Sequence, residues 1–146
     1  MTLSVTDALS STATATVSVT VNAVAQLFFK TGTSSLKVGG NSTTIDIVLE
    51  GEIGKDVNIT YHVVTSGLFP TTASHYTLSP GEGDSITFST TDPVDALGRR
   101  VKSITVTSGG RRDRGKQLVL ALDNPSSPFV QLQSLLGSRH VVYFTN

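Results

Sequence analysis

Residues 58–88, NITYHVVTSGLFPTTASHYTLSPGEGDSITF, decide how this chain folds. They open as a strand. Val57, Ile59, Tyr61 and Val63 alternate with Asn58, Thr60 and His62, the two-residue period of a sheet with one buried face. The pattern breaks over Ser66-Gly67 and Phe69-Pro70, and turns again at Ser79-Pro80-Gly81. A second short strand follows, with Ile86 and Phe88 on one side. A strand, a long crossing connection anchored by His75-Tyr76, a Pro-Gly turn and a second strand is the order that carries a chain between the two sheets of a sandwich.

The flanks read the same way. Upstream, Leu27, Phe28 and Phe29 introduce the domain, and Leu36 and Val38 lead to a turn at Gly39-Gly40-Asn41. Residues 43–50 form a strand with Ile45, Ile47 and Leu49 inward and Asp46 outward, and 51–56 turn back into the central stretch. Downstream, residues 89–100 are polar and carry Asp92-Pro93 and Leu97-Gly98, so they read as a loop. Strands at 101–107 and 117–122 are joined by 108–116, SGGRRDRGK, and Asp123-Asn124-Pro125 stops the second. Short strands at 129–133 and 140–145 close the domain. Seven or eight short strands with turn signals between them, and no helical period, predict an all-β, immunoglobulin-like two-sheet sandwich over residues 25–146.

Composition agrees. Ser and Thr make up 39 of 146 residues and charged residues only 15%, and Thr and Val fit a pleated surface better than a helix. Eleven basic residues balance eleven acidic ones, so no global field draws the chain to nucleic acid or membrane. With no cysteine there is no disulfide framework and no thiolate site. No apolar run approaches the roughly 20 residues of a membrane helix, and Met1-Thr2-Leu3-Ser4 does not read as a signal peptide. Either Met1 heads a fragment of a secreted protein, or the native chain is used without that export route.

Residues 1–24, MTLSVTDALSSTATATVSVTVNAV, read as a separate β-hairpin arm. Leu3 and Val5 alternate with Ser4 and Thr6, and a turn follows over 7–11. On the return strand Ala13, Ala15, Val17, Val19 and Val21 share one side. A two-stranded hairpin is marginal in water, and a flat Val/Ala/Thr edge invites pairing. The arm is therefore expected on its own sandwich or on a neighbouring subunit by strand addition; otherwise it is loose. This stretch resembles the closing hairpin of a PKD-type domain, whose last strands read like TLSVTD and ATATVSVTV, without that domain's upstream part.

From about 35 to 145 the chain resembles a Calx-beta domain, an immunoglobulin-like module of surface proteins. The likeness rests on Ile45-Asp46-Ile47-Val48-Leu49, residues 57–63, Ala73-Ser74-His75-Tyr76 with Leu78 and Gly81, Ile86-Thr87-Phe88, Ile104-Thr105-Val106, and residues 118–125. It implies a sandwich of the kind found in secreted Bacteroidota modules and phage decorations. Some Calx-beta domains bind calcium through an acidic run after the strand equivalent to 101–107. Here that run is 108–116, with Asp113 alone among three arginines and a lysine. Calcium takes six to eight oxygens, mostly carboxylate, so the site is not carried over and no cofactor is expected.

Catalytic patterns are lacking. His62, His75 and His140 form no zinc-binding spacing; His62 and His140 read as ordinary strand residues, and His75 as a brace for Tyr76. There is no Gly-x-Ser-x-Gly elbow, and Gly81-Glu82-Gly83-Asp84 is a turn without a following helix. Asn41-Ser42-Thr43 and Asn58-Ile59-Thr60 match the glycosylation pattern by chance. The sharpest local feature is basic. Arg111, Arg112, Arg114 and Lys116 share one hairpin tip, and Arg99 and Arg100 precede its first strand. Arginine forks suit carboxylates and phosphates, but no aromatic is interleaved for nucleic acid, and a chain without tryptophan is a poor carbohydrate platform. The expectation is a non-enzymatic interaction subunit on the surface of a repeating assembly, such as a virion decoration or fibre component. The alternative is a module of an extracellular adhesin or filament at the cell surface.

Overall fold

The structure, a computed structural model, describes residues 2–6, 12–16, 24–65, 67, 69–134 and 137–146, with 2–6, 12–16 and Arg111 described by backbone alone. Thirteen strands occur among them: β1 (Thr2–Thr6), β2 (Thr12–Thr16), β3 (Ala25–Phe29), β4 (Thr33–Lys37), β5 (Ser42–Glu50), β6 (Val57–Ile59), β7 (Tyr61–Val64), β8 (Tyr76–Ser79), β9 (Ile86–Phe88), β10 (Arg99–Ser108), β11 (Gln117–Leu122), β12 (Val130–Leu132) and β13 (Arg139–Thr145). One sheet has the order β12-β3-β5-β10-β8 and the other β4-β13-β11-β7, while β6 pairs with β9. The chain is an all-β, immunoglobulin-like sandwich.

Alternation places the core. Leu27, Ile45, Ile47, Leu49 and Ile104 of the first sheet face Tyr61, Leu118, Leu120, Val142 and Phe144 of the second, all essentially without solvent contact. Burying each such side chain stabilises the fold by about 1.5–3 kcal/mol. The strand at 57–63 behaves as its pattern requires: Val57, Ile59 and Tyr61 are buried while Asn58 and His62 are exposed.

There are more strands than the sequence pattern predicts because the chain changes partners within apparent strands. β3 runs antiparallel to β5 in the first sheet. After residues 30–32 the chain resumes as β4, parallel to β13 in the second. The break exposes backbone groups that neither sheet can pair, and His140 takes them up. Its Nδ1–H donates to Thr31 O at 2.6 Å and its Nε2 accepts from Ser34 Oγ at 2.9 Å. Val141 N donates to Gly32 O at 2.9 Å, and the Phe29 ring leans on the imidazole with centroids 5.6 Å apart. His140, expected to be an ordinary strand residue, is a buried brace. Likewise the kink at Thr60 is held by Asp123, which accepts from Thr60 Oγ1 at 2.8 Å and lies 2.7 Å from His62 Nδ1.

The connection after β7 moves the chain from the second sheet to β8 in the first; the expected second strand, β9, is not the far side of that crossing but pairs back on β6. Tyr61 reaches up through the core and donates its hydroxyl to Pro80 O. The following turn then covers the outer edge of β7: Val63 N donates to Glu82 Oε1 at 2.7 Å and Gly83 N to Tyr61 O at 3.1 Å. Capping an edge in this way removes a template for unwanted pairing. Burial, with Asp84 and Glu82 nearby, pushes the Tyr61 phenol up to about 12.

Replacing Tyr61 by Phe leaves Pro80 O without its donor. The urea midpoint should fall by the equivalent of about 1 kcal/mol with an unchanged slope. A second expectation concerns acid. Burial holds the His140 imidazole below its ordinary pKa, with the Thr31 bond opposing this. The stability it contributes is therefore complete above the unfolded value near 6.5 and is lost as pH falls through the lower folded value. Unfolding free energy measured from pH 8 to pH 5 should fall in the wild type, and His140→Gln should flatten that slope.

Candidate functional site: the cationic end of the sandwich

The connection from β10, in the first sheet, to β11, in the second, is a loop between sheets and not the hairpin expected from the sequence, and backbone bonds fold it onto the sandwich. Gly115 N donates to Phe144 O at 2.9 Å, Phe144 N to Lys116 O at 3.0 Å, and Lys116 N to Asp113 O at 2.8 Å, closing the single turn Arg111–Asp113. On its other side Gly109 N donates to His75 O at 2.7 Å. The approach is so close that a Cβ at Gly109 would lie 2.9 Å from that same oxygen, so glycine is required there.

Asp113, the one acid of the loop, points inward and is only 1% exposed. Its Oδ1 lies 3.0 Å from His75 Nδ1 and 3.4 Å from Lys116 Nζ. Burial raises its pKa, but the neighbouring Thr71 hydroxyl, His75 and Lys116 outweigh that and hold it below the usual carboxylate range. Asp113 Oδ2 and Thr71 Oγ1 are buried without a partner in hydrogen-bond geometry. His75 thus braces the basic loop through Asp113, and not Tyr76 as its sequence position suggests.

With Asp113 turned in, the outward side-chain charges of this loop are positive. Arg112 and Arg114 are exposed, and neither has an ion pair among the described residues. Lys37, at the end of β4, joins them. A groove of about 420 Å³ is lined by Lys37, Val38, Arg114 and Asn146. The four segments meeting at this end, 35–41, 69–79, 108–117 and 143–146, contain no acidic side chain besides Asp113.

Arg99 and Arg100 do not belong to this cluster. They lie within β10, pairing with Glu50 and Leu49, and nine residues of extended chain put them about 30 Å from the loop tip. Arg99 is held by Asp95 at 2.7 Å. Arg100 is 5% exposed and donates to Gly51 O at 3.2 Å; burial at an inward strand position removes it as a surface contact. Two members of the site were not read from the sequence. One is Lys37. The other is Phe69, which is 71% exposed with a φ of 56°. It is clasped between Gln117 N, donating to Phe69 O, and Thr71 N, donating to Gln117 O, both at 2.9 Å. A positive φ is a strained conformation for a bulky residue.

In the arm, β2 pairs antiparallel with β1, setting Ala13 opposite Val5 and Ala15 opposite Leu3. Val17, Val19 and Val21 lie outside the described residues. Among the described residues no group of three or more His, Cys, Asp or Glu gathers as a metal site.

No protein-family model matches the sequence, and no curated protein does. Solved structures are informative. The apo form of the Calx CBD1 domain superposes with a TM-score of 0.61 at 12% identity, over 84% of this chain and 99% of that one. A two-domain protein of unknown function from Bacteroides fragilis gives 0.58 at 9% identity, over 84% of this chain and 45% of that one. The calcium binding domain CBD12 of CALX1.1 gives 0.56 at 12%, over 81% and 44%. The fold is a Calx-beta-like, immunoglobulin-type β-sandwich. The chain spans under half the length of the longer structures it matches.

Asp113→Asn should lower stability at pH 7 by about 1.5–3 kcal/mol, the range for a hydrogen bond to a charged group. Because the folded pKa of Asp113 is depressed, its contribution is present above the unfolded value near 3.8 and vanishes as pH falls through the folded one. Denaturation curves of wild type and variant, separate at pH 7, should draw together as the pH is lowered below 3.8.

Proposed function

We propose that the chain is a non-catalytic structural module that binds neighbouring subunits on the surface of a repeating assembly. The setting we favour is a virion, as a head decoration or fibre component. The observation that carries this reading is the β1–β2 hairpin, which among the described residues pairs with neither sheet of the sandwich. Two strands alone are marginal in water, and both outer edges offer unpaired backbone groups to another chain. The histidines support a non-catalytic role, because each is bonded to a group that shapes the backbone: His140 to Thr31, His62 to Asp123 and His75 to Asp113. A second reading, a module of an extracellular adhesin or filament, is favoured by the two-domain Bacteroides fragilis structure, of which this chain covers 45%.

Light scattering of the full chain, and of one beginning at Ala25, tests the proposal. The described core lies entirely within residues 25–144, so the shorter chain should melt cooperatively as a monomer. The full chain should give a mass that is a multiple of 15.3 kDa. A monomeric full chain, with a shortened form that fails to fold, would assign the hairpin to its own sandwich and leave the adhesin reading in front.

A further inference from the structure

The cationic end has a chemistry that the hairpin arm does not explain. Lys37, at the end of β4, and Arg112, Arg114 and Lys116, on the loop from β10 to β11, lie at one end of the sandwich, where the one acidic side chain is turned inward. Lys116 is engaged with that buried acid. Arg112, Arg114 and Lys37 have no such partner among the described residues, and at physiological salt charges more than about 8 Å away do little to neutralise them. Beside them stands Phe69. Its backbone is pinned to Gln117 on both sides in a strained conformation, and its ring is directed into solvent. Backbone strain of this kind persists where the surrounding structure enforces it, and it gathers at functional sites.

We propose that this end is a docking surface for an acidic, partly apolar segment of a neighbouring protein. Phe69 is its anchor, and Arg112, Arg114 and Lys37 are its carboxylate contacts. The inference rests on the reading of the chain as an interaction module and names the partner of one face. Arginine forks match carboxylates and phosphates alike in a bidentate fashion, so the charge does not decide it. One feature favours a protein segment over a nucleic acid or a sulfated glycan. The groove between Lys37 and Arg114 has Val38 in its lining, so it takes an apolar group beside a charged one. A second exposed ring, Tyr143 at 41%, lies at the same end, opposite Gln117 on one side and Ser35 on the other. Aromatic and arginine residues together are also what dominate protein interfaces.

The test uses the full chain and a fluorescein-labelled peptide of Asp and Glu with a Leu at every third position, followed by anisotropy. Heparin and an oligo-dT strand serve as comparison ligands. The peptide should bind, and binding should weaken between 50 and 200 mM salt. Arg112→Glu with Arg114→Glu should raise Kd about tenfold or more, the loss expected of a hot spot. Lys37→Glu should act in the same direction. Phe69→Gly is the decisive variant. Glycine adopts a positive φ without strain, so the melting temperature should hold or rise while Kd increases about fivefold or more. Peptide affinity indifferent to Phe69→Gly would overturn the proposal. So would heparin or oligo-dT binding more tightly than the peptide and independently of Phe69, which would make this a polyanion surface. Absence of peptide binding would also overturn it, while the assembly measured by light scattering would stand or fall separately on the hairpin.

Discussion

A chain that crosses between two sheets must leave its hydrogen-bond ladders to do so, and the groups it strands there still need partners. That constraint governs this molecule. The first crossing, from β3 to β4, is met by His140, which reads Thr31 with one ring nitrogen and Ser34 with the other. The crossing from β7 to β8 is met at one end by Tyr61 and Glu82 and at the other by Gly109 and the His75–Asp113 pair. Where β6 bends into β7, Asp123 serves Thr60 and His62. The side chains most capable of chemistry thus sit where the backbone would otherwise be unsatisfied, and burial without pairing would cost more than any one of these bonds contributes.

What could be read from the residues was whatever is local. Alternation gave the inward faces of β5, β6 and β7, and the Phe69-Pro70 and Pro80-Gly81 breaks marked the crossing. Partnership was not legible. Nothing near residue 30 says that one stretch pairs with β5 and the next with β13. Nothing near His75 points to an aspartate 38 positions away. Arg99 and Arg100 seemed to join the basic loop because they precede it in sequence, yet they lie at the far end of β10 from it. Lys37 was overlooked for the converse reason: it is remote in sequence and brought to the loop only by the parallel pairing of β4 with β13.

Formal neutrality conceals a polar distribution. The fold places its basic loop and the end of β4 together, and takes the single nearby carboxylate out of solvent. The acids at the opposite end are largely occupied with backbone amides and basic partners: Asp95 with Arg99, Asp92 with Lys102, and Asp56 with Thr90 N. A count of charges along the chain therefore says little about the field at one face, which depends on which side chains the turns direct inward.

The division of the leading strand between both sheets also has a mechanical side. The described sandwich begins beside Val24 at one end, and β13 finishes at the other. β4 and β13 run parallel, matched over five residue pairs from Thr33↔Val141 to Lys37↔Thr145. Tension applied along the chain would draw these two strands past each other lengthwise, loading the ladder between them in shear instead of opening it one bond at a time. A module built this way resists stretching along its own long axis, and it yields most readily to a force that peels β4 away from the side.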